Sequence, residues 1–394
     1  MRCGLGQSPT GYGVKKMRYV TAGDSHGEYL VGIVEGFPAG HRVSIKDIEK
    51  ELRRRRQSYG RSARQKIESD VVRIVSGLWK GKSTGAPIAL LIQNLGRAVA
   101  GKPGGALGTV PRPGHADLPG ALKYGFDEVP PISERASARS TALRVAVGAM
   151  AKSVLRLFSV DILGHVTSIG GIDAPTQSSS FDSLKRRVAR SPIYCGDKRS
   201  ADKMIDVIRS AKKAGHSLGG AIEVVVTGVV PGLGTHVEND RKLDTRLAGS
   251  MMGIQSVKAV EIGDGLETYR QKGHESHDAI YLDKGRVTRR TNFAGGIEGS
   301  MTNGEDIILR LYAKPLPTSI VRLPSFDMRR LKPKTSPFVR SDVCVMPALS
   351  VIAEAVAAWE ILGVMAEKFG GDTITEMKRN YEAYKKELSS RGVR

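Results

Sequence analysis

The stretch GDSHGEYLVGIVEGFPAG, residues 23–40, has a second version further along the chain, GHSLGGAIEVVVTGVVPG, residues 215–232. Gly23, Ser25, Gly27, Gly36 and Gly40 meet Gly215, Ser217, Gly219, Gly228 and Gly232 at a constant offset. A second echo follows in the same order. GLWKGKSTG from Gly77 resembles GGIEGSMTNG from Gly295, with Gly81 over Gly299 and Thr84 over Thr302. Two echoes in one order indicate an internal duplication. LVGIVEG, VVRIVSGLWKG and APIALLIQN read as strands. IKDIEKELRRRRQ reads as a helix with Ser44 as its N-cap. A further helix is expected in ASARSTALRVAVGAMAKSVLRLF, where Leu143, Val147, Met150, Val154 and Leu157 share a face. The fold class is therefore α+β, with helices packed on mostly antiparallel sheets. Residues 1–16 read as an N-terminal extension. Residues 17–394 read as one domain of two pseudo-repeated halves, about 17–210 and 211–394.

The chain has 394 residues, enough for a large core, and 46 glycines, which imply many tight turns. Cys3, Cys195 and Cys344 have no metal-knuckle spacing, and their odd number argues against a disulfide framework. No signal-peptide core precedes Met17, and the expected location is the cytoplasm. ALSVIAEAVAAWEILGVM, residues 348–365, is apolar but carries Glu354 and Glu360, so it reads as a buried or subunit-packing helix rather than a membrane span. The formal net charge of +21 suits either nucleic acid or a small polyanion in a basic cleft. No zinc-finger spacing, RNP-like pattern, Rossmann fingerprint or Walker loop is present.

Only the first copy of the repeat carries a histidine after its serine. His26 stands where the second copy has Leu218. RRRRQSYGRSAR, from Arg53 to Arg64, ends in a turn that lets Arg61 fold back beside Arg55. Converging guanidiniums are costly unless an anion neutralises them, and their planar fork suits phosphate or carboxylate. RPGHAD supplies His115 within a long Gly/Pro-rich loop, 96–134. Arg135, Ser137 and Arg139 open the alanine-rich helix, where basic residues oppose the helix dipole unless an anion or a carboxylate such as Glu134 pairs them. Gln255 and Ser256 precede a strand, Lys314 lies in a Pro-stiffened loop, and Arg340 and Asp342 precede the apolar helix. The remaining histidines show no HxxxH or HExxH spacing, so no metal site is expected. Two histidines, several arginines, a lysine and an aspartate fit acid–base chemistry on a multiply anionic small molecule.

GDSHGEYLVGIVEG, RRRRQSYGR, GAPIALLIQN, RPGHADLPG, ERASARSTALRVAVGAMAK, GIQSVKAVEIGDG, GGIEGSMTNGEDI, KPLPT and RSDVCVMPALSVIAEA, taken in order, resemble the chorismate synthase family from about Met17 to residue 365. The resemblance implies a β-α-β sandwich, a homotetramer and a monofunctional lyase. It implies 1,4-anti elimination of phosphate from 5-enolpyruvylshikimate 3-phosphate, giving chorismate. The family requires reduced FMN without net redox change, so FMN reduced elsewhere in the cell, with NADPH as the indirect reductant and an external flavin reductase as partner, is expected. Carried over by motif, His26 protonates or hydrogen-bonds the departing phosphate, Ser25 forms a relay with Asp342 for the flavin N5 proton, and His115 lies near flavin N1 and the C2 carbonyl. Arg135, Ala136, Ser137, Gln255, Ser256, Gly299, Lys314, Pro315, Leu316, Pro317, Thr318 and Arg340 match flavin-contacting positions. Arg55 and Arg61 match positions assigned to NADP(H), or clamp substrate anions, and Arg139 shapes the helix start. The basic charge then serves phosphorylated ligands rather than nucleic acid. Ser133-Glu134 stands where many members have glycines, which would narrow the flavin entrance, and Ser300 replaces a common glycine.

Overall fold

Strand β2 (Tyr29–Glu35) alternates as its sequence does, with Leu30 and Val34 buried and Ile33 exposed. It pairs antiparallel with β1 (Arg18–Ala22) and β6 (Ile88–Gln93), and β6 with β3 (Val72–Ser76), giving the order β1-β2-β6-β3. The computed structural model describes residues 17–57, 59–61, 70–95, 108–175, 179–318, 320–338 and 342–393. The expected extension 1–16 lies outside them. A second antiparallel sheet has the order β10-β15-β9-β7-β8, from β7 (Asp161–Ile169), β8 (Ile172–Asp173), β9 (Gly220–Thr227), β10 (Val257–Ile262) and β15 (Ile307–Ala313).

The strand order β1-β2-β6-β3 reappears as β7-β9-β15-β10. In each case a two-residue hairpin lies between the last two of these strands in chain order: β4 (Leu78–Trp79) with β5 (Lys82–Ser83), and β13 (Ile297–Glu298) with β14 (Met301–Thr302). Both turn residues have positive φ in each hairpin, at Lys80 and Gly81 and at Gly299 and Ser300. Ser300 thus sits at φ 66°, a conformation that favours glycine. A division at 210/211 cuts the second sheet, because β7 and β8 precede it and pair with β9. The β7 stretch carries none of the glycine echo, and its place is set by pairing alone.

Helices fill the space between the sheets. Helix α1 (Ile45–Arg56) is capped by the Ser44 hydroxyl, which accepts from Asp47 N, and buries Ile48 and Leu52. In the chain between β6 and β7, residues 117–136 form two short helices, α2 (Asp117–Tyr124) and α3 (Pro130–Ala136), rather than the expected loop. Two prolines in the first turn of α3 and a left-handed Gly125 closing α2 are compatible with helix termini, and they hid both helices in a Gly/Pro-rich stretch. Of the loop 96–134, residues 96–107 lie outside the described ones. Helix α4 (Thr141–Leu155) is flanked by single 3-10 turns. Helices α5 (Phe181–Arg190), α6 (Lys198–Ala214) and α7 (Leu243–Met252) follow. Helix α8 (Met346–Phe369) is long and apolar enough to cross a membrane, yet 94% of its apolar window is buried inside the protein. It is a core helix, with α9 (Ile374–Ser390) after it.

Close approach places these helices. A Cβ on Gly32 would lie 3.1 Å from Leu143 of α4, so α4 rests on the first sheet. Gly164 of β7 leaves no room for a side chain beneath Ser350 of α8, which rests on the second sheet. The two helices meet at Gly148, where an added Cβ would lie 2.5 Å from Ala355 Cα. The layers are sheet, helices, sheet. Beside the crossing, the buried Glu354 carboxylate takes both Nη atoms of Arg54 at 3.0 Å, pairs with Lys152, and accepts from Gly164 N. Burial alone would raise its pKa, but Arg54 and Lys152 outweigh burial and hold it low. Cys195 and Cys344 are buried free thiols.

Gly148→Ala is expected to destabilise the fold although it improves helix propensity by about 1 kcal/mol. Overpacking against the backbone of α8 costs about 1–3 kcal/mol or more. Urea unfolding should show a lower midpoint at unchanged slope. A higher midpoint would mean that the helices separate freely.

Candidate active site

The glycine turn 23–27 is tied down from several directions. Gly23 has φ 105° and lies against the Tyr29 carbonyl, where a Cβ would not fit. The Asn94 side-chain amide donates to the carbonyls of Asp24 and Gly27 at 3.1 and 2.9 Å. Asn94 in turn accepts from Arg139 Nε at 2.8 Å. From the other side Ser25 N donates to the Glu134 carbonyl, and the Glu134 carboxylate accepts from His26 N at 2.8 Å and meets His26 Nδ1 at 2.7 Å. Ser25 is buried, while the His26 ring keeps 24% of its surface exposed. Glu134 pairs with His26 rather than simply narrowing an entrance.

The arginines converge as the turn at Gly60 (φ 86°) allows. Arg55, 2% exposed, pairs with Asp70 at 3.1 Å and donates to Thr141 Oγ1. Arg139 pairs with the other oxygen of Asp70. Arg61 is near enough to Arg55 to disfavour its charge, and pairs with Asp342 at 2.8 Å. Burial pushes the Arg55 guanidinium below its ordinary value, and Asp70 works against that. Burial would likewise raise Asp70, but the two arginines hold it down. The expected neutralising anions are thus partly the protein's own: among the described residues, Asp70 and Asp342 face Arg55, Arg61 and Arg139. Arg55 is internal and acts on its neighbours rather than on the surface. Arg135 instead donates to Thr21 O at 2.8 Å and to Thr21 Oγ1 at 2.6 Å, bracing β1.

His115 has its own carboxylate. Its Nδ1 lies 2.5 Å from Asp117 Oδ1, and Asp117 also takes Arg112 N at 3.0 Å and Arg112 Nε at 2.7 Å. Asp117 is fully buried. Burial would raise its carboxyl, but hydrogen bonds from Arg112 and His115 outweigh that and hold it at about 2. Lys314 Nζ donates to the Gly114 carbonyl at 2.7 Å, so the Pro-stiffened loop 314–318 lies against the His115 loop. Ser217, in the second glycine turn, donates to Leu316 O at 2.7 Å, and Lys314 N donates to Ser256 O. Ser256 has φ 73°, a strained conformation of the kind that collects at functional sites. Gln255 Nε2 reaches Ser140 Oγ at 3.4 Å, while its buried Oε1 has no hydrogen-bond partner among the described residues. Ser137 caps the 3-10 turn that carries Arg139, accepting from Arg139 N at 3.3 Å.

The structure therefore links Ser25, His26, Ala136, Ser137, Arg139, Gln255, Ser256 and the 314–318 loop with His115 into one continuous region, and Arg55 and Arg61 carry it to Asp342. Gly299 stands apart. Its hairpin bonds to Leu233, Leu243 and Asp244, and no bond among the described residues joins it to either histidine. Arg340 lies outside the described residues. Among the described residues no group of three or more His, Cys, Asp or Glu is placed to hold a metal. Sequence reasoning missed Asp70, Asn94 and Asp117 as participants. Only Asp117 had a local signal, two residues after His115 in RPGHAD.

Two histidines, each against a carboxylate, beside a cluster of arginines have the make-up of an enzyme site for an anion. The family model for chorismate synthase matches residues 17–366. The chain is 46% identical to the chorismate synthase of Pelobacter propionicus over 385 residues, covering 93% of this chain and 98% of that one. It is 47% identical to that of Desulforamulus reducens, covering 92% and 96%. A solved structure described as the crystal structure of chorismate synthase superposes with a TM-score of 0.78 at 34% identity, covering 96% of this chain and all of that one. The chain belongs to the chorismate synthase family. Its activity is accordingly that of a lyase forming chorismate, in aromatic amino-acid biosynthesis.

Asp117→Asn tests how His115 is held. A carboxyl lowered from 3.8 to about 2 contributes about 2 kcal/mol of stability above pH 4, which is lost as pH falls through 2. The variant should be less stable by about that amount at pH 7, and the gap should close as pH approaches 2. A gap independent of pH in urea titrations would place the effect in packing instead.

Proposed function

We propose that this chain eliminates phosphate from 5-enolpyruvylshikimate 3-phosphate in a 1,4-anti sense with reduced FMN, His26 giving a proton to the departing phosphate. The observation that carries the reading is His26 on a small-residue turn, oriented by Glu134, beside the Arg55–Asp70–Arg139 cluster. Small neighbours leave room for a phosphate, and the arginines supply attraction without a metal-type donor set.

The flavin's residues fit on chemical grounds. The buried Gln255 Oε1, without a partner among the described residues, is an acceptor suited to ring N–H donors, and the left-handed Ser256 turns the backbone beside it. Arg135, Ala136, Ser137, Gln255, Ser256 and the loop from Lys314 through Pro315, Leu316 and Pro317 to Thr318 would hold the cofactor, with Gly299 and Arg340 the least supported of the family positions. When bound, reduced FMN supplies electron density that assists loss of the allylic phosphate and a site for the C6 proton. Ser25 and Asp342 would relay that proton away, with Arg61 holding Asp342. His115, fixed by Asp117, would keep the cofactor's protonation state. Arg55 and Arg139 would shape the anion pocket from behind rather than grip NADPH, because Arg55 is buried. The same reading includes a cytoplasmic homotetramer supplied with flavin by an external reductase that draws on NADPH. The shared strand order of the two sheets favours an internal duplication.

Anaerobic incubation with 5-enolpyruvylshikimate 3-phosphate, with and without photoreduced FMN, is the test. Chorismate and phosphate should appear in equal amounts only with reduced FMN. His26→Ala should lower the rate by about 10²–10⁴-fold. Phosphate without chorismate would identify a hydrolase.

A further inference from the structure

The Glu134 carboxylate binds the residue that carries the proton at two points, backbone and ring. Oε2 accepts from His26 N, and Oε1 meets His26 Nδ1. Its own chain is anchored by Ser25 N donating to the Glu134 carbonyl, and by its position near the end of α3. The carboxylate is 12% exposed. A carboxylate has only acceptor sites, so Nδ1 must carry hydrogen to make this contact. The tautomer of an imidazole is set by the hydrogen bond its other nitrogen makes. We propose that Glu134 is a positioning residue for the reaction: it holds hydrogen on His26 Nδ1 and so dedicates Nε2 to proton exchange with the departing phosphate.

This rests on the elimination read above. In that step the C–O bond breaks with its electron pair staying on the phosphate oxygen, which takes the proton from Nε2. The ring is left neutral, with its remaining hydrogen on Nδ1 against Glu134. Without the carboxylate the ring loses the contact that holds that hydrogen on Nδ1.

Glu134→Gln separates the two contacts. The His26 backbone N–H can only donate, so the glutamine oxygen must face it. The amide NH₂ then faces Nδ1 and requires a lone pair there. The neutral ring is driven to the opposite tautomer, with hydrogen on Nε2. The experiment is ¹⁵N spectroscopy of histidine-labelled full-length protein, with the His26 signals assigned by difference from His26→Gln, together with kcat and KM of the reduced-FMN reaction. Wild-type protein should show neutral His26 with hydrogen on Nδ1. Glu134→Gln should show it on Nε2, with kcat lowered about a hundredfold and substrate KM changed less than about threefold. Neutral wild-type His26 carrying its hydrogen on Nε2 would overturn the proposal, and this spectrum decides it even if the variant does not fold. A Glu134→Gln enzyme with wild-type kcat would also overturn it. Wild-type protein that shows hydrogen on Nδ1 but forms no chorismate would overturn the catalytic half together with the function it rests on, leaving the histidine–carboxylate pair itself supported.

Discussion

The contact between α4 and α8 sets the spacing of everything else. At Gly148 and Ala355 the helices approach so closely that one extra carbon has no place. Each helix lies on one sheet, through Gly32 for the first and Gly164 for the second, so their separation fixes the distance between the sheets. The charges at Glu354, Arg54 and Lys152 add direction to that contact. A buried carboxylate with three partners tolerates few alternative helix positions, since losing its cations would leave a buried charge uncompensated.

That frame brings together segments far apart in the chain. The 3-10 turn that carries Arg139 leads directly into α4, so the seat of α4 on the first sheet places Arg139 against Asn94 and Asp70. Asn94 directly follows β6 and holds the histidine turn that precedes β2. Asp70 itself takes φ 48°, a left-handed conformation that the two arginines fix in place. Strain and buried charge are thus concentrated just behind the histidine, as at many sites where geometry matters more than stability. The second half offers a matching turn, but there Ser217 and Leu218 bind backbone at 316 and 343. One turn presents a histidine paired with a carboxylate, and the other is bound into backbone.

Much of this was legible in the residues. Ser44 announced α1, the alternation in YLVGIVE announced β2, and the Tyr59-Gly60 turn placed Arg61 near Arg55. His26 stood out because its neighbours are too small to bury it. The rest was hidden for physical reasons. α2 and α3 are short and proline-marked, so periodicity had nothing to work on. Asp70 and Asn94 look like ordinary polar residues until tertiary pairing gives them partners 45 to 70 positions away. Glu134 drew notice as a departure from glycine, but its partner 108 residues earlier could be seen only in three dimensions. β7 shares no glycine echo with β1, and its sheet membership became visible only through pairing.

The two histidine–carboxylate pairs differ in how the chain closes them. His115 and Asp117 are two residues apart, and their loop needs little more than itself. His26 and Glu134 close a span of 108 residues, which exists only while the end of α3 is docked on the glycine turn. Excursions that lift this short helix, without global unfolding, would open the long-range pair, while the local pair keeps its tether along the chain. The site therefore has a local joint and a long-range one, and the long-range one stands on the docking of a seven-residue helix.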